Sequence, residues 1–129
     1  MLRRFAAASA VACIALGVAG SAVLVISGLS SQRFAPLLAM WCIAPSVWGL
    51  WAMLAPSRWI PERLPLWGAM LGVVAGLMAG FVLDLPSRIA GFQVAVVARF
   101  AGLIVLTLFY FVLWTLVRTV FKRLSALAT

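Results

Sequence analysis

The sequence predicts an all-α bundle of four transmembrane helices joined by short loops, with both termini on the cytoplasmic side. Three observations predict it. Of the 129 residues, 67% are hydrophobic and 9% are charged, with a mean hydropathy of +1.22. Ordinary soluble domains carry about 25% charged residues, so this surface must be solvated mostly by lipid. Four apolar runs, 5–29, 34–55, 64–85 and 92–117, each match the roughly 20 residues that cross a bilayer. Apart from Arg99, the basic residues stand at the ends of these runs, where Lys and Arg mark the cytoplasmic side and meet anionic headgroups. The runs fill the chain as one transmembrane domain over 1–129 and leave no room for an extramembrane one.

The first run follows Arg3 and Arg4 and has small residues at Gly20, Ser21 and Ala22. That pattern is shared with secretory signals, but the apolar character continues through Leu29, past any cleavage site. It reads as a first transmembrane helix. Ser30, Ser31, Gln32 and Arg33 then read as a turn. The second run holds Pro45 and three tryptophans, Trp41, Trp48 and Trp51. The proline removes one backbone donor and is expected to kink the helix. The spacing puts it and the indoles near one face. Pro56, Pro61 and Pro65 break the most polar stretch of the chain into a headgroup-level loop, with Trp59 and Trp67 as interfacial anchors. Glu62 is expected to favour the dipole of the third helix from its first turn. Leu85-Pro86-Ser87-Arg88 ends the third run, and Ser87 is placed to cap the fourth.

Gly68, Gly72, Gly76 and Gly80 recur at intervals of four inside the third run. In a soluble helix each would cost about 1 kcal/mol relative to alanine. In a lipid-embedded helix they let another backbone approach closely. The ladder predicts a groove for a neighbouring helix, either of this chain or of a partner subunit or second copy. A flat lipid, quinone or pigment in the groove is the third reading. The first run offers a comparable row at Ser9, Cys13, Gly17 and Ser21, and Ala98 and Gly102 form a shorter one in the fourth.

Asp84 and Arg99 are the ionisable groups inside the apolar runs, and such groups are functional candidates. Near one boundary, they read as an interfacial ion pair, with Arg88 as an alternative partner of Asp84. Trp41, Trp48 and Trp51 are candidate contacts for lipid or a prosthetic group. Cys13 and Cys42 lack metal or redox spacing and read as apolar packing.

Composition also narrows the function classes. Histidine is absent, so this chain supplies no histidine-ligated haem, chlorophyll or metal site. Its two carboxylates, Glu62 and Asp84, fall on opposite sides of the membrane in a four-span topology and cannot act as a catalytic pair. The net charge of +8 does not imply nucleic acid, because no soluble basic surface carries it. With both termini inside, the cytoplasmic side holds Arg3, Arg4, Arg58, Arg63, Arg118, Lys122 and Arg123; the other holds Arg33, Arg88 and Arg99. The first functional expectation is therefore a non-catalytic accessory or assembly subunit of a larger membrane complex, in a bacterial inner membrane. Its partners would be other integral membrane subunits or copies of itself, together with anionic lipid headgroups. A small homo-oligomeric channel or transporter is the alternative. A lipid- or isoprenoid-interacting flippase component is the second alternative.

Overall fold

The computed structural model describes residues 1–27 and 31–127. The protein is all-helical, with 87% of it in helix. Among the described residues, four helices are long and apolar enough to cross a membrane. Helix α1 covers Leu2–Ser27 and α2 covers Ser31–Leu54. A 3₁₀ turn at Ser57–Trp59 leads to α3, Leu64–Leu77, which continues as a π-helical turn over Met78–Val82. A short α4, Leu85–Ala90, precedes the long α5, Val96–Ala126.

Several boundaries differ from the sequence expectation, each for a local reason. The end of the first run and Ser30 lie outside the described residues. Ser31, Gln32 and Arg33 are the first turn of α2 rather than a connecting turn. Pro36 and Pro45 lie inside α2, and the helix runs through both. Leu85-Pro86-Ser87-Arg88 is not a plain break but the first part of α4, because Pro86 stands at a first-turn position where its missing N–H costs nothing. Ser87 therefore sits within α4 and does not cap α5, whose N-cap is Ala95. Helix α5 runs well past Val117. At 1.5 Å per residue its 31 residues measure about 46 Å, longer than a hydrocarbon slab of about 30 Å.

The helices are not packed evenly. Helix α3 lies along α5, and α1 lies along α2 and touches α5, whereas α2 and α3 scarcely approach each other. The buried core gathers at the end where the termini and the 55–63 loop meet. There Ala7, Ala8 and Ala12 of α1, Ala52 of α2, Leu64 of α3 and Trp114 and Val117 of α5 are almost inaccessible. Alanine on α1 lets two helices close on it at once, which larger side chains would prevent. Gly49 does the same for α2: a Cβ there would stand 2.5 Å from the Phe5 ring and 2.6 Å from Ser9 Oγ. Ser9 Oγ also donates a hydrogen bond to the Pro45 carbonyl at 2.9 Å. These contacts hold α2 on α1 and turn it away from α3.

Candidate functional site

The glycine ladder faces α5. A Cβ on Gly68 would overlap the Trp114 indole. One on Gly72 would come to 2.8 Å from Tyr110 Cβ and 3.1 Å from Thr107 Cα, and one on Gly76 to 2.5 Å from Leu103 Cδ1. Gly80 departs from the row, because nothing lies within 4 Å of where its Cβ would be. It falls in the π turn, which winds more residues per turn than an α-helix and carries Gly80 off the stripe. Three glycines, not four, make the groove, and α5 of the same chain fills it.

The tryptophans divide between two tasks. Trp51 and Trp67 join α2 to α3 by reciprocal bonds: Trp51 Nε1 donates to the Trp67 carbonyl at 2.9 Å, and Trp67 Nε1 donates to the Trp51 carbonyl at 2.7 Å. Their rings stack with centroids 5.0 Å apart, and Trp59 meets Trp67 edge-on at 5.9 Å. Trp67 is thus a cross-helix clasp rather than a free interfacial anchor. Indole suits this place because one apolar ring carries one donor, and both needs are met.

Beyond the clasp α2 and α3 part, and an apolar cleft opens between them. One lobe, of about 210 Å³, extends toward α1 and α5; a second, of about 320 Å³, opens between α2 and α3. Met40, Ala44, Trp48, Ala75 and Tyr110 line both. Trp48 and Tyr110 form the floor, with ring centroids 5.0 Å apart, and Trp114 supports Trp48 from behind at 5.7 Å. Trp41 flanks the inner lobe. Leu83 and Leu85 lie at the opposite end, beside α4. The cleft is therefore bounded by the clasp at one end and by Leu83 and Leu85, where α4 meets α2, at the other.

Arg99 organises the α4 end. Its Nη2 lies 3.0 Å from Asp84 Oδ1 in an ion contact without hydrogen-bond alignment. Nε donates to the Val94 carbonyl at 3.1 Å, Nη1 to the Gly80 carbonyl at 3.3 Å, and Nη2 to Ser87 Oγ at 3.1 Å. Ser87 Oγ also accepts from the Val94 N–H at 3.0 Å. One guanidinium thus fastens the π turn, α4 and the approach to α5, using the planar fork that lysine lacks. Asp84 sits in the left-handed region (φ 48°, ψ 42°), which aspartate tolerates better than most residues. Arg88 takes no part in this knot; it is exposed and meets no carboxylate among the described residues.

At the other end Glu62 lies ahead of α3, not in its first turn, and binds α5 instead. Lys122 Nζ is 2.8 Å from Oε1 and Arg118 Nη1 is 3.8 Å from Oε2. The Lys122 ammonium holds the Glu62 carboxyl below its ordinary pKa. Arg4 Nη1 reaches the Ala55 carbonyl at 3.4 Å, tying the N-terminus to the same loop. Cys13 and Cys42 are exposed free thiols, and the described residues hold no cluster of three metal-ligating side chains.

Sequence reasoning reads Tyr110 only as a polar hint on the fourth helix and passes over Trp114 and Gly49. The signal for Tyr110 and Trp114 is their spacing of four on α5, which matches the four-residue spacing of Gly68 and Gly72 across the interface. Comparison of the chain with protein-family models, with curated proteins and with solved structures finds no match. The class rests on the fold and cleft: an all-helical protein with four potential spans and a side-opening apolar cleft.

Proposed function

We propose that this chain is a non-catalytic integral membrane protein that lodges an apolar guest chain, lipid or isoprenoid, in the cleft between α2 and α3. The cleft itself is the observation that carries the reading. Its walls are Met, Ala, Leu and aromatic side chains, and its side faces the hydrocarbon when the four helices span a bilayer. The bacterial inner membrane, with both termini cytoplasmic, remains the proposed setting. Arg3, Arg4, Arg58, Arg63, Arg118, Lys122 and Arg123 belong to one end of the bundle, which supports that orientation.

The test is quenching of the tryptophan fluorescence by phosphatidylcholine brominated along its acyl chains, with the full chain in bilayers. Trp48→Phe should remove a distinct strongly quenched component. If quenching of wild type and Trp48→Phe differs by no more than loss of an average tryptophan, the cleft admits no chain and the proposal fails.

An accessory subunit of a larger complex is the second reading. Outward-facing small residues on α1 and α5 favour it: Gly17 and Gly102 have open space where a Cβ would stand, and Cys13 and Ser21 are exposed on either side of Gly17 along α1. The glycine ladder no longer argues for it, since α5 lies against Gly68, Gly72 and Gly76. The masses of species that survive gentle extraction separate the readings. A fixed hetero-complex supports the subunit, whereas the chain alone with retained lipid supports the cleft.

A further inference from the structure

The bases at the basic end of the bundle are not equally engaged. Arg4 Nη1 reaches the Ala55 carbonyl, and Lys122 and Arg118 approach Glu62, so the start of α1, the 55–63 loop and the end of α5 meet there. Glu62 is the carboxylate of that end, and α5 claims it at 2.8 and 3.8 Å. Arg3 and Arg4 pair with no carboxylate among the described residues. Both line a cavity of about 380 Å³ between the start of α1 and the end of α5, whose other walls are Met1, Leu2, Phe121 and Ser125.

We infer that this cavity binds the phosphate of an anionic phospholipid, with Arg3 and Arg4 as its cationic wall. The inference does not rest on the cleft between α2 and α3, with which the cavity shares no lining residue. The donors are guanidiniums, whose planar forks can meet two phosphate oxygens at once. Arg4 gives Nη1 to Ala55 and keeps its other N–H groups, and Arg3 is exposed. Ser125 Oγ donates to the Phe121 carbonyl at 2.9 Å, so recognition falls to the arginines. The apolar walls select a lipid over a free ion. Met1 and Leu2 are 79% and 80% exposed; a soluble phosphate gains nothing from them, whereas a glycerol backbone and upper acyl chain would cover them. The cavity also lies where the first candidate span begins, at Leu2, the level at which basic residues meet headgroups. A zwitterionic headgroup carries its own cation and gains less from two more.

The experiment is native mass spectrometry of the full chain released from nanodiscs of equal phosphatidylglycerol and phosphatidylethanolamine. Wild type should retain phosphatidylglycerol preferentially. Arg3→Gln should lower the phosphatidylglycerol-to-phosphatidylethanolamine ratio about fivefold, the worth of one interfacial base. Arg123→Gln removes an exposed base of the same end that does not line the cavity and should leave the ratio unchanged. Equal retention of both lipids by wild type, or equal falls in the two variants, overturns the site in favour of diffuse surface charge. Inorganic phosphate added before release should not displace the lipid, and displacement overturns the choice of a lipid over a free ion. Ala75→Phe fills the cleft and leaves this cavity intact, so the phosphatidylglycerol preference should persist in it. A preference that vanishes in folded Ala75→Phe and persists in Arg3→Gln would place the lipid in the cleft and overturn the assignment to Arg3 and Arg4.

Discussion

The glycines of α3 are equivalent by spacing and unequal by environment, so alanine substitution should rank them. At Gly72 the added methyl would stand 2.8 Å from Tyr110 Cβ and 3.1 Å from Thr107 Cα, where ordinary contact begins at 3.4 Å. Neither atom is the end of a flexible side chain, so α3 and α5 must separate by about 0.6 Å. Overpacking of this kind costs about 1–3 kcal/mol, and the gain in helix propensity returns up to about 1 kcal/mol. With the full propensity gain the net loss is about 0–2 kcal/mol. Gly68→Ala should cost more, at the upper end of that overpacking range or beyond it. Its obstacle is the fully buried Trp114 ring, which Trp48 supports from the other side. Gly76→Ala should cost less, because Leu103 Cδ1 is the tip of a side chain that can change rotamer. Gly80→Ala meets nothing within 4 Å and should be neutral or slightly stabilising. Unfolding in mixed micelles against denaturing detergent measures the series. Equal losses at Gly72 and Gly80, or a loss at Gly80 alone, would refute the assignment of α5 as the helix in the groove.

Three further perturbations test the ties between helices. Trp51→Phe and Trp67→Phe should each cost about 1 kcal/mol for a lost hydrogen bond, and a double-mutant cycle with alanine should show about 0.5–1.5 kcal/mol of coupling from the stacked rings. Arg99→Ala should loosen the 80–99 segment by about 3 kcal/mol, since it strands the Gly80 and Val94 carbonyls. Asp84→Asn should cost about 1 kcal/mol or less, because Asp84 is 34% exposed and Arg99 keeps its other acceptors. Amide exchange across 80–95 reads both changes, and equal effects would contradict the knot. Glu62 has its carboxyl pKa lowered chiefly by Lys122, so its contribution is full above the unfolded value and vanishes as pH falls through the lowered folded value. Wild type should therefore exceed Glu62→Gln in stability at neutral pH and match it in strong acid, in unfolding titrations at the two pH values. A difference that persists in acid would show that the charge is not what ties the loop to α5.

What the sequence made legible follows from which physics is local. Hydrophobic run length and few charges are one-dimensional properties, so four long apolar helices could be read from residues alone. The joint of Asp84 and Arg99 was also readable in part, because a charge in an apolar run needs a partner nearby. What could not be read was where each face turns. The π turn at Met78–Val82 adds a residue to one turn and rotates Gly80 off its row, and no proline or polar residue within 78–82 marks it. The extension of α5 was hidden by its charges, since Arg118, Lys122 and Arg123 end the apolar run without ending the helix. Trp67 was assigned to the interface by composition, yet its N–H finds a carbonyl across the bundle.

The cleft follows from the unequal placement of small residues. Gly68, Gly72 and Gly76 put α3 against α5, and Gly49 with the alanines of α1 puts α2 against α1. No comparable small-residue pair joins α2 to α3. Their contact depends on Trp51 and Trp67 near one end, and a clasp of that breadth holds two helices apart as well as together. Past it, Ala44 and Ala75 face each other across the gap with too little bulk to fill it. A larger residue at either position would have closed the bundle. In a lipid solvent an open apolar gap costs less than in water, because an acyl chain can occupy it with ordinary dispersion contacts. The same four-helix arrangement thus produces a tightly packed basic end and, beyond the clasp, an apolar cleft that reaches toward α4.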